Sequence, residues 1–117
     1  VAPGLNVNGQ LTLGENIADI GGVREAYRAY QGWVERNGAE VARVEGLTNE
    51  QLFFVAYAQG WCSVASPEFE KMMVLSNTHS PAEFRVNGPV RNLPEFAETF
   101  SCEEGAPMNP VERCEVW

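Results

Sequence analysis

Two carboxylates one helical turn apart, Glu15 and Asp19, and a histidine followed six residues later by an arginine, His79 and Arg85, could do chemistry. A spacing of four places Glu15 and Asp19 on one face of a helix, one above the other. At about 100° per residue, Asp19 falls close to the apolar stripe of Val23 and Tyr30, with Glu15 at its edge. A carboxylate on that side needs a counter-charge or several hydrogen bonds. Glu15 has a plainer reading. Thr12 and Glu15 fit the Ser/Thr-x-x-Glu capping box, in which a glutamate serves the helix end alone. The box does not account for Asp19. Gly21 and Gly22, just inside the same helix, cost about 1 kcal/mol each relative to Ala. Such a cost is tolerated where something must pack close to the backbone.

His79 immediately precedes Ser80-Pro81, a helix-opening signal, and so sits beside a positive helix end suited to negative charge. With Arg85 it could hold a peptide carbonyl, a developing oxyanion or a terminal carboxylate. The plainer alternatives are a hydrogen-bonded loop histidine and a surface ion pair of Arg85, for which Glu83 is near enough. Trp61, on an apolar helix, reads first as core. Glu95, Glu98, Glu103 and Glu104 read as a solvated face.

The elements that must position these residues are helices. Residues Pro3 to Gln10 read as loop or short extended structure, with Asn6, Asn8 and Gly9 as turn formers. Ile17, Ile20, Val23, Tyr27, Tyr30 and Val34 recur at spacings of three and four, predicting a long amphipathic helix from about Leu13 to Asn37, ended by Gly38. Thr48 with Gln51 forms a second capping box, stapled by Leu47 and Leu52, and the helix it opens runs through Phe53, Phe54, Val55, Tyr57 and Trp61. That helix is apolar nearly all round and belongs inside a larger body. Ser66-Pro67 and Ser80-Pro81 open two more, with proline at the first helical position. Asn92 to Phe100 is a short last helix, Cys102 to Trp117 an irregular tail, and Val86 to Val90 a candidate extended piece. The fold class is mainly α, in one domain.

Composition narrows the classes of partner. The 117 residues carry a formal net charge of −8, which argues against nucleic acid and anionic membrane surfaces. The longest apolar run, Leu52 to Ala58, is too short to span a bilayer. No signal peptide is visible, and a chain opening on Val1 without Met is expected to lack its natural N-terminus. Three cysteines, Cys62, Cys102 and Cys114, leave at least one unpaired within the chain. The Gly-, Pro- and Asn-rich loop between Cys102 and Cys114 suits an extracytoplasmic disulfide, the alternative being three reduced thiols. One histidine and no Cys-x-x-Cys do not make a self-contained Cys/His zinc site.

Taken together, several segments resemble one family. The run from Val7 to Gly22, containing Gly14-Glu15-Asn16-Ile17-Ala18-Asp19, resembles the signature of the neprilysin/endothelin-converting-enzyme zinc metallopeptidases. Gln51-Leu52-Phe53-Phe54, Gln59-Gly60-Trp61-Cys62, His79-Ser80-Pro81-Ala82-Glu83-Phe84-Arg85-Val86, Met108-Asn109-Pro110 and Cys114-Glu115-Val116-Trp117 look like that family too, in its order and at similar spacings. The resemblance covers essentially the whole chain and matches the family's extreme C-terminus.

The resemblance implies that residues 1–117 are the C-terminal helical part of a zincin-type peptidase catalytic domain. Glu15 would be the third protein ligand to Zn2+, after two histidines of an upstream His-Glu-x-x-His helix that this chain lacks. Asp19 would orient one of those histidines, fixing its tautomer, so that Asp19's partner lies in the missing part. His79 would stabilise the oxyanion, Arg85 would bind substrate carbonyls, and Trp61, with Gly60, would line the pocket for the side chain after the scissile bond. A bulkier apolar residue is common where Gly60 stands. Zinc would polarise the peptide carbonyl and activate water, with an upstream glutamate as base. The implied partners are the remainder of the same peptidase and a peptide substrate, and the implied location is extracytoplasmic. The cysteines matching Cys62, Cys102 and Cys114 pair upstream in disulfide-rich members. The chain alone would be inactive. The competing expectation is a non-catalytic acidic helical module that binds peptides or a partner without zinc.

Overall fold

The computed structural model describes residues 4–116. Pro3, the start of the expected N-terminal loop, and Trp117, the last residue of the C-terminal motif, lie outside the described residues. Among the described residues five helices follow one another: α1 (Gly9–Asn37), α2 (Asn49–Gln59), α3 (Pro67–Ser76), α4 (Ala82–Arg91) and α5 (Pro94–Thr99). The described residues contain no strand. Val86 to Val90, expected as an extended piece, is the second half of α4. Val86 and Val90 are four apart and share a helix face, and burial of Val90 in the core overrides the strand preference of valine.

The start of α1 differs from the Thr12 signal. Asn8 is the N-cap, its side-chain oxygen accepting from the backbone N–H groups of Gln10 and Leu11 at 3.1 Å each. Asparagine is among the strongest N-caps, and it stands where the first orphan N–H groups can reach it. Thr12 is buried and donates its hydroxyl to the Asn8 carbonyl at 3.1 Å. Glu15 therefore lies in the second turn of α1, and the capping explanation for it falls.

Other ends follow the sequence closely. Gly38 terminates α1 with φ of 84°, a left-handed angle that costs glycine nothing. Thr48 and Gln51 form the reciprocal capping box at 3.1 Å in both directions, and Ser66 caps α3 with Pro67 at its first position. Ser80 does not cap α4: Pro81 holds that position, and the buried Ser80 hydroxyl donates to Asn16 Oδ1 on α1 at 2.8 Å. Helix α2 ends at Gln59, so Trp61 stands in the turn just beyond it.

The core is built from Val23 and Tyr27 of α1, Phe54 of α2, Val90 of α4 and Leu93. Phe54 stacks on Tyr27 at 4.9 Å between centroids and meets Phe96 edge-on at 5.3 Å, geometries that aromatic quadrupoles favour. Of the two helix glycines, Gly21 is buried, but Gly22 is exposed, with nothing near the place of a side chain; close packing within the chain does not explain Gly22. The radius of gyration, 15.8 Å, exceeds the ~13 Å of a compact domain of about 100 residues. Leu13, Phe69, Met72 and Leu75 are at least half exposed. The core is small and the apolar surface is large.

Candidate metal-ligand and substrate site

Asp19 projects from the third turn of α1 toward α4, which packs broadly on that helix. Its carboxylate accepts two hydrogen bonds from Arg85, from Nε to Oδ2 and from Nη2 to Oδ1, both at 2.7 Å. This is the fork-to-fork geometry that makes arginine–carboxylate pairs strong. The side chains are only 10% and 17% exposed, so the buried carboxylate has its counter-charge inside this chain. A partner of Asp19 thus lies within this chain, and Arg85 pairs with Asp19 rather than with Glu83. Each Asp19 oxygen keeps further accepting capacity.

Arg85 is held on three sides. Its guanidinium carbon lies 4.0 Å from the centre of the Trp61 ring, a cation–π distance. The hydrogen bond it donates to Asp19, against some desolvation, moves its pKa further up, so it is a permanent cation. Its backbone carbonyl accepts the Tyr57 hydroxyl at 2.6 Å. The reason lies four residues on: Pro89, inside α4, has no N–H to close the helical bond to Arg85. The freed carbonyl takes its hydrogen from Tyr57 instead. Burial, with Asp19 adding to it, pushes the Tyr57 phenol up to about 12, opposed by Trp61 and Arg85. It remains a donor at neutral pH.

His79 and Glu15 meet one turn nearer the start of α1. His79 Nε2 lies 3.1 Å from Glu15 Oε2, with side chains 43% and 40% exposed. The other ring nitrogen, Nδ1, is 3.0 Å from Asn77 Oδ1. Below them, Ser80 bonds to Asn16, which in turn donates to Thr12 Oγ1 at 3.0 Å. This buried polar ladder ties the His79 loop to α1.

His79, Arg85 and Trp61 line one cleft of about 460 Å³, walled by Phe69, Met73, Val74 and Phe84. That volume suits a side chain or small ligand. Trp61 is thus a half-buried cleft wall rather than core. Glu15 can offer a carboxylate oxygen to a metal, but among the described residues no group of three His, Cys, Asp or Glu could hold one. Catalytic zinc needs three protein ligands, so the donors here fit one third of such a site. Cys62 and Cys114 are exposed thiols and Cys102 is half-buried. Among the described residues, no helix is long and apolar enough to cross a membrane.

Sequence reading brought Glu15, Asp19, His79, Arg85 and Trp61 into view but missed Asn16, Tyr57, Asn77 and Ser80. Two signals were available: Pro89 at i+4 from Arg85, which predicts an orphan carbonyl, and Asn77 two residues before His79, the spacing of an Asx turn.

The chain matches the model of peptidase family M13 over residues 2–116. It is 53% identical over 116 residues to neprilysin-1 of Caenorhabditis elegans, covering 97% of this chain and 15% of that protein. With endothelin-converting enzyme 1 of Bos taurus it shares 56% identity over 112 residues, covering 95% of this chain and 15% of that protein. Among solved structures it resembles the Mycobacterium tuberculosis zinc metalloprotease Zmp1 in its open state, with a TM-score of 0.89 and 36% identity over 99% of this chain and 18% of that one. A Haemonchus galactose-containing glycoprotein complex gives a TM-score of 0.91 at 38% identity, over 99% of this chain and 20% of that one. The chain spans about 15% of the length of the curated relatives it matches. With the family model matched over nearly the whole sequence, this chain belongs to peptidase family M13.

Proposed function

We propose that this chain is the C-terminal part of the catalytic domain of an extracytoplasmic zinc metalloendopeptidase, working with the remainder of the same peptidase on oligopeptides. The observation that carries this reading is the convergence of Glu15–His79 and Asp19–Arg85, which join α1 to the loop before α4 and to α4 itself, beside one cleft. Glu15 would hold zinc together with two histidines from the rest of the polypeptide. When bound, zinc supplies polarisation of the scissile carbonyl and a lowered pKa for water. Asp19, anchored by Arg85, would direct its remaining lone pairs to one of those histidines and fix its tautomer. His79 offers Nε2 at the cleft edge to the developing oxyanion. Arg85 has N–H groups left over from Asp19 to donate to a substrate carbonyl, and Trp61 forms the apolar wall.

The exposed apolar surface supports a covering partner. Leu13 and Phe84 face a second, largely apolar groove of about 770 Å³ between the start of α1, α4 and the segment 114–116. A patch of that kind marks an interface, here with the rest of the peptidase. Exposed Cys62 and Cys114 are available for disulfides to it.

The test is zinc content and turnover of a short peptide by the complete peptidase. Glu15→Ala should lose zinc, whereas His79→Ala should keep zinc and lose turnover. The chain alone should neither retain stoichiometric zinc nor hydrolyse peptide. Full activity in both variants would overturn the reading.

A further inference from the structure

Asn77 caps the C-terminal end of α3, two residues before His79. Its Oδ1 accepts from the backbone N–H of His79 at 2.8 Å and lies 3.0 Å from the ring nitrogen Nδ1. The backbone contact settles which end of the amide is which, because an N–H can only donate and so must face oxygen. Asn77 Nδ2 turns instead to Met73 Sδ at 3.2 Å. An oxygen facing Nδ1 requires the hydrogen to be on Nδ1. Nε2 looks away from Asn77, toward Glu15 Oε2 and the cleft, and because it too faces an oxygen it must carry a hydrogen of its own to donate.

We infer that Asn77 is a positioning residue: its side-chain oxygen holds Nδ1–H of His79, sets the ring plane and aims Nε2 at the place where the oxyanion develops. The inference rests on the proposed role of His79. The physical need is plain from the burial. A histidine side chain that is 43% exposed gains from a fixed hydrogen-bond partner, and a donor misplaced by an ångström loses much of its effect. Asn77 is itself anchored, since its N–H donates to Met73 O at 3.0 Å at the end of α3. A neutral amide does this without adding another anion beside Glu15. The alternative role of the same oxygen is to lock the 77–79 turn through the backbone bond alone.

The test compares Asn77→Ala and Asn77→Asp in the complete zinc-loaded peptidase. Asn77→Ala should lower kcat about 10- to 100-fold, the scale on which losing the partner of a metal-bound imidazole acts. KM and zinc content should not change, and affinity for a phosphonate transition-state analogue should fall by the same factor as kcat/KM. Asn77→Asp keeps the acceptor and should restore most of the lost kcat. A loss shared equally between kcat and KM would overturn the inference in favour of the turn, and no rescue by aspartate would overturn it because the acceptor oxygen would then not be what matters. His79→Ala in the same peptidase separates the two ideas. If it keeps full turnover, the oxyanion role fails; if it loses turnover while Asn77→Ala does not, the Asn77 inference alone is overturned.

Discussion

Arg85 and Asp19 are 66 residues apart in sequence and share two hydrogen bonds of 2.7 Å. The pair locks α4 to α1 at the point where both candidate functional pairs sit. Its guanidinium also rests on Trp61, so one side chain joins the helix contact, the cleft wall and the charge balance of the site. Breaking it should be felt in stability as well as in catalysis. Arg85→Ala leaves a carboxylate that is 10% exposed without its counter-charge, which costs about 3–5 kcal/mol. Arg85→Lys loses the fork and should recover only part of this. Urea unfolding of the two variants measures the difference.

Glu15 is expected to behave in the opposite way. Its contact with His79 is 40% exposed, and exposed pairs contribute about 0–1 kcal/mol. Glu15→Ala should leave the unfolding midpoint of the chain nearly unchanged while removing zinc from the complete peptidase. A large stability loss would assign Glu15 a structural role instead.

Tyr57 gives a pH dependence with a definite sign. Its phenol is raised from 10 to about 12 in the folded chain, first by burial and then by Asp19. The folded state therefore keeps its proton where the unfolded chain has lost one, and the linked stability is complete below pH 10. It declines as pH rises through about 12. Tyr57→Phe should flatten that alkaline decline. It should also lower stability at neutral pH by about 1–3 kcal/mol, because Pro89 cannot supply the hydrogen bond that the Arg85 carbonyl then lacks. Denaturant titrations at neutral and alkaline pH test both effects.

The helix start offers a further check. Asn8→Ala should destabilise the chain by about 1 kcal/mol through loss of the cap on Gln10 and Leu11. Phe54→Ala, at 3% exposure in the aromatic core, should cost about 3–5 kcal/mol. Thermal melts followed by far-ultraviolet circular dichroism rank the two.

Much of the helical order is local information, and the sequence by itself determined it. Gly38, the Thr48–Gln51 box and Ser66-Pro67 act on backbone groups within a few residues, so composition and spacing suffice to place those ends. The positions of Glu15, Asp19, His79, Arg85 and Trp61 were legible from residue type and from the family pattern. What only the tertiary structure decided is where satisfaction of a polar group competes between near and far partners. Ser80 carries a local capping signal, yet it is buried and its hydroxyl goes to Asn16 on α1. Asp19 draws its counter-charge from α4, and Val86 to Val90 turn helical because Val90 finds the core. A buried charge or hydroxyl must be paired by whatever the fold brings within reach. That choice exists only once α1 and α4 are in contact.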